Sequence, residues 1–289
     1  LRQPAIVQPV TRLERIDNTL AVPAALAPAS DDILGHVLFA LKHEGINLGI
    51  LAQTLPQIPL HAFEMVLRES PNGIYIRKAC YLREAFADEP VTQHAPVRGV
   101  FIPLFDPERY ITRTGSRNSR WRVEFNGLGS PSYCATVERT AELEVLLNHD
   151  ILGRARAFID SLPKMMMDRA INWAYLSETQ DSFAIEREAP STDKAHRFIE
   201  LLRQAHDRHP LSEDYLVALQ NATVSNKLDM AAAYRHEQNH LAGALPGAAG
   251  VTYVPPTPEL CRELMEELVQ FANEAPNQID PLVAAGIIS

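Results

Sequence analysis

His236, Glu237 and His240 form a His-Glu-x-x-His run, two imidazoles and a carboxylate whose spacing puts both rings on one face of an α-helix. Such a face holds a Zn²⁺ ion while the glutamate takes a proton from the metal-bound water, which is peptidase chemistry. A third ligand decides that reading. The position six residues after His240 is Pro246, which has no donor, and Glu259 and Glu263 lie beyond an extended stretch and a double proline. Zinc hydrolysis is therefore kept only as the alternative. The residues immediately downstream point to a different use of this stretch. Ala242 to Gly250 is a small-residue turn, Val251, Thr252, Tyr253 and Val254 are extended, and Pro255-Pro256 ends the strand before an amphipathic helix opens at Thr257-Pro258-Glu259. A strand held between glycines and a double proline offers its backbone to something else.

With Arg235 and Gln238-Asn239 before it, this stretch resembles the Fic family, whose members transfer AMP from ATP to protein hydroxyls. In that family a helix with the pattern Arg-x-x-Gln-Asn precedes a β-hairpin flap ending in Tyr-Val-Pro-Pro-x-Pro-Glu, and both patterns stand here in order. The resemblance extends over nearly the whole chain. Leu38 to Gly45 and the Pro71-x-Gly73-x-Tyr75-x-Arg77-Lys78 run resemble the N-terminal helical domain of long Fic proteins. Ser182-Phe183-Ala184-Ile185-Glu186 resembles the family's inhibitory motif, whose glutamate occupies the place of the γ-phosphate and pairs with an arginine of the catalytic loop. A carboxylate there competes for the guanidinium with the same bidentate geometry as a phosphate. Arg187 stands where the family has Gly or Asn.

The resemblance implies ATP and Mg²⁺ as cofactors of the complete enzyme. Its substrate would be a Ser, Thr or Tyr hydroxyl of a target protein, the chain itself included, aligned on the flap at Val251 to Val254. The catalytic loop, His-Pro-Phe-x-[Asp/Glu]-Gly-Asn-Gly-[Arg/Lys], is not among these residues. The expectation is accordingly that the 289-residue chain transfers no AMP by itself. Two other readings are a zinc peptidase through His236, Glu237 and His240, and a regulatory or scaffolding fragment without catalysis.

The elements that would position these groups read as mainly α-helical. The expected organisation is an arm and helical domain over 1–140 and the first portion of a Fic-like helical bundle, with its β-hairpin flap, over 141–289. Residues 1–30, broken by Pro4, Pro9, Pro23 and Pro28, read as an irregular arm. Helices are expected from Ile33, Asn47, Leu60 and Ile74, with Gly45 closing the first. Beyond the irregular segment 87–140, further helices are expected over 141–159, from 162 or 164 to 178, over 193–208, 215–222, 223–241 and 258–274, and from Pro281. Met165, Met166, Met167 and Trp173 are expected inside the bundle. His209-Pro210-Leu211 lacks the glycines of a phosphate cradle and reads as the approach to a helix capped by Ser212.

Composition narrows the partners. The 27 basic and 36 acidic residues give a net charge of −9, which argues against a general nucleic-acid surface. The exception is Arg113-x-x-x-Arg117-x-x-Arg120-Trp121-Arg122, which reads either as a phosphate-binding segment or as a clamp on nearby carboxylates. Cys80, Cys134 and Cys261 form no C-x-x-C pair, so a reducing cytoplasm is the expected compartment. There is no apolar run of about 18 residues for a membrane span, and no signal segment is expected.

Overall fold

In a computed structural model the chain is described over residues 5–16, 19–87, 89–92, 94–185, 192–204, 209–224, 230–245, 247–275 and 278–289. It divides into two compact units, Leu1–Arg139 and Thr140–Ser289, and its secondary structure is mainly helical.

The first unit opens on a small sheet rather than an irregular arm. Strand β1 (Ile6–Val7) runs parallel to β3 (Thr19–Val22), and β2 (Glu14–Ile16) pairs with β3 antiparallel, Arg15 opposite Leu20. The strands are so short that their alternation does not register in the sequence, yet Ala21 and Val22 are buried. Helix α1 (Ile33–His43) begins where the Asp32 carboxylate accepts from Gly35 N at 2.8 Å, and Gly45, at φ +115°, turns the chain out of it. Asn47 caps α2 (Leu48–Thr54) in the same way, and α3 (Leu60–Glu69) and α4 (Ile74–Ala87) follow.

Helix α4 packs against α1, α2 and α3 on its apolar side and against β6 (Val123–Phe125) on another. The region between 87 and 140 is organised by very short strands, β4 (Ile102–Pro103), β5 (Ser116–Asn118), β6, β7 (Leu128–Gly129) and β8 (Cys134–Ala135), with β6 central between β4 and β5. One continuous core joins Leu34, Phe63, Leu82, Phe105, Trp121 and Phe125. Buried cations lock this region to α4. The Arg77 guanidinium donates to the carbonyls of Trp121 (2.8 Å), Val100 (2.7 Å) and Arg122 (2.6 Å), and Lys78 Nζ donates to Leu104 O at 2.8 Å.

The second unit carries α5 (Ala141–Asn148), α6 (Ile151–Ser161), α7 (Lys164–Ile185), α8 (Thr192–Gln204), α9 (Glu213–Thr223), a hairpin of β9 (Leu241–Ala242) and β10 (Val251–Tyr253), then α10 (Pro258–Glu274) and α11 (Pro281–Ile288). The helix expected over 141–159 is two, because Asp150 adopts φ +43° and its carboxylate caps Gly153 N at 3.0 Å. Met165, Met166 and Trp173 do not face inward: they are 78, 57 and 71% exposed. The unit's buried apolar residues, among those described, are Phe271, Ala272, Ala275 and Ala284.

Candidate functional site

Residues 230–240 are irregular where a helix is expected over 223–241. Three alanines at 231–233 are strong helix formers, but the backbone at either end of this run, at Ala231 and Tyr234, is taken by side chains of α9. Asn221 accepts from Ala231 N at 2.8 Å and donates to Ala231 O at 2.7 Å, while the Glu213 carboxylate accepts from Tyr234 N at 2.7 Å. Side-chain bonds of this kind compete with helical ones for the same backbone groups. The consequence for the zinc reading is a correction: His236 and His240 are not on a helix, so their spacing no longer puts them on a common face. His236 Nε2 lies 4.0 Å from Glu237 Oε1 and both side chains are almost fully exposed. No group of three or more His, Cys, Asp or Glu placed to hold a metal ion occurs among the described residues.

The irregular segment instead holds the foot of the hairpin. The Arg235 guanidinium donates to Pro256 O, and the Gln238 amide donates to Pro255 O at 3.1 Å. The two proline carbonyls just past β10 are thereby fixed by the first and fourth positions of the Arg-x-x-Gln pattern. Within the hairpin Val251 pairs with Ala242 and Tyr253 with Leu241, across an irregularity in register. Thr252 Oγ1 donates to Leu241 O at 3.1 Å, and Gly243 N donates to Gly250 O at 2.6 Å. Gly250 is required by close approach, since a Cβ there would fall on the Leu245 carbonyl. Thr252, Tyr253 and Val254 are exposed and Val251 is half-buried. Thr257 then caps α10, with Pro258 at its first position.

Ser182 lies in the last turn of α7, where its hydroxyl donates to the Glu178 carboxylate at 3.3 Å. Phe183 meets Phe198 of α8 with ring centroids 5.6 Å apart. Glu186 and Arg187 lie outside the described residues, so the second half of the inhibitory motif has no geometry here. His209-Pro210-Leu211 is the approach to α9: the Asn273 amide bonds both backbone groups of Leu211, at 2.8 and 3.0 Å, and Ser212 caps the helix.

The arginine-rich segment of the first unit is largely an internal clamp. Arg113 donates to the carbonyls of Gly127 (3.1 Å) and Gly129 (2.8 Å), Arg120 pairs with Glu84 at 3.2 Å, and Arg117 pairs with Glu124 at 3.3 Å. Trp121, fully buried, donates its indole N–H to the other Glu84 oxygen at 2.7 Å. Sequence reasoning missed Glu84 as the acceptor of both groups, because a glutamate on α4 shows nothing of what lies across from it. The three thiols are unpaired; burial raises Cys80 far above the ordinary range and Cys134 to about 11, so both stay protonated and inert at neutral pH.

No family model matches the chain. Neither the curated proteins nor the solved structures contain a match. Among the described residues no helix is long and apolar enough to cross a membrane.

Proposed function

We propose that the chain is a portion of a Fic-type AMP transferase that carries the target-aligning flap and the inhibitory helix. The observation supporting this most directly is the tether between the two sequence patterns: Arg235 and Gln238 grip the carbonyls of Pro256 and Pro255. That tether gives the Arg-x-x-Gln pattern a physical reason to accompany Tyr-Val-Pro-Pro, since the side chains of one hold the proline carbonyls of the other. The hairpin has only two strands and stands exposed. An extended target segment adds to such an edge through backbone hydrogen bonds, with Thr252 and Tyr253 available to its side chains.

The sequence lacks the pattern that holds Mg²⁺ and ATP in the family it resembles. The phosphate cradle and the general base implied by the resemblance belong to a loop pattern absent from the 289 residues, and no step of the transfer is derived through the nucleotide. What this chain contributes is alignment by the flap and, through Glu186, restraint. The test of the restraint uses the intact gene product with ATP labelled at the α-phosphate. Glu186→Gly is expected to raise label transfer to protein, self-modification included, by about tenfold, as removal of one charged competitor does. An unchanged rate and unchanged ATP affinity would make Glu186 an ordinary surface carboxylate.

A further inference from the structure

Of the four arginines between 113 and 122, Arg113 and Arg120 are consumed internally, Arg117 meets Glu124 with its side chain still exposed, and Arg122 meets no carboxylate among the described residues. Its guanidinium lies over the Phe101 ring, 5.2 Å from the centroid, and the Arg117 guanidinium lies 5.1 Å from the same centroid. Arg122 is half-buried, and its guanidinium has no carboxylate or hydrogen-bond partner among the described residues. It stands close enough to Arg77 to push that guanidinium's pKa down, after burial itself.

The backbone makes the choice of arginine stranger. Residue 122 has φ +52°, and its carbonyl and that of Trp121 both accept from Arg77. Glycine or asparagine would meet that requirement with less strain. The fold therefore asks for a left-handed residue here and does not ask for a cation. Arg98, exposed, lies three residues before Phe101 on the loop that Asn72 pins through Arg98 N (2.9 Å) and Gly99 N (3.2 Å).

We propose that Arg122, with Arg117 over the same Phe101 ring and the exposed Arg98 three residues upstream of that ring, is a docking site for the carboxylates of an acidic segment of a partner protein. A guanidinium presents paired N–H donors of the geometry that carboxylates accept. A nucleic acid fits less well: the tryptophan that would stack a base is fully buried, and Arg113 and Arg120 are already used.

The test is fluorescence anisotropy of a labelled octaglutamate peptide titrated with the 289-residue chain at low ionic strength, with octaglutamine as control. Octaglutamate is expected to bind and to weaken as salt is added. Arg122→Gln should weaken it about tenfold, the loss of one charge-assisted pair. Arg117→Gln should weaken it less, because Glu124 already shares that charge, and Arg169→Gln in the other unit should leave it unchanged. Arg122→Gly should lose the same binding with an equal or higher melting temperature, which separates docking from folding. Absence of octaglutamate binding, equal binding of octaglutamine, or full affinity in both Arg122 variants overturns the proposal. Tighter binding of a single-stranded oligonucleotide, lost in those same variants, overturns it in favour of nucleic acid.

Discussion

Arg77 is a cation held in a protein interior by carbonyl oxygens rather than by a carboxylate. Three of them, from Val100, Trp121 and Arg122, converge on it; the Arg122 carbonyl keeps a second donor in Ile102 N, so removal of Arg77 takes the side-chain donor from the other two. Arg77→Met is expected to destabilise the chain by about 3 kcal/mol, read as a lower urea midpoint with the slope unchanged. Lys78, the next residue, gives a pH signature. Burial pulls its ammonium down to about 8, with Asp106 partly opposing, while in the unfolded chain it titrates near its ordinary value of roughly 10.4. Between those values the folded state binds fewer protons, so this group adds stability as pH rises. Cys80 and Tyr81 act the other way: burial raises both, so stability falls once pH passes their ordinary values of about 8.5 and 10. Lys78→Met removes only the first effect. Measured against that variant, the wild-type chain should gain roughly 1–2 kcal/mol between about pH 7 and pH 9.5; parallel profiles would mean that Lys78 is solvated.

At the scale of the element, the hairpin depends on residues outside it. Arg235→Ala with Gln238→Ala removes both grips on Pro255 and Pro256 and should speed amide exchange of Gly243 and the β10 residues about tenfold, leaving α10 unchanged. Equal exchange in the variant would show that the hairpin stands by its own pairing. Much of this element is legible in the sequence: Pro255-Pro256 marks its end, the glycines mark its turn, and Thr257-Pro258 marks the next helix start. The segment before it is not. Ala231 to Ala233 carry high helix propensity, and it is Asn221 and Glu213, on another element, that take the backbone groups of Ala231 and Tyr234. For the same reason the His-Glu-x-x-His spacing misleads: it has meaning on a helix, and the side chains of α9 remove the helix. The caps of α1, α2 and α9 are local and are read directly from Asp32, Asn47 and Ser212.

At the scale of the whole molecule, the two units differ in how their apolar residues are used. The first buries them in one continuous core, whereas in the second Met165, Met166, Trp173 and Phe158 stand exposed. Periodicity tells which residues of a helix are apolar and says nothing of what covers them, which is why Trp173 reads as core and is not. The site is legible only in part for a related reason: the flap is a local pattern, while the chemistry implied by the resemblance rests on a loop that these residues do not contain.

The measurement that bears most directly on the Fic reading is therefore label transfer from α-labelled ATP, with Mg²⁺, by the 289-residue chain beside the intact gene product, whose mass is compared with 32.2 kDa. The account predicts a heavier product containing the His-Pro-Phe and Gly-Asn-Gly pattern, label on protein from that product, and none from the short chain. Label transfer by the short chain alone, or an intact product of 32.2 kDa that transfers nothing, would contradict it.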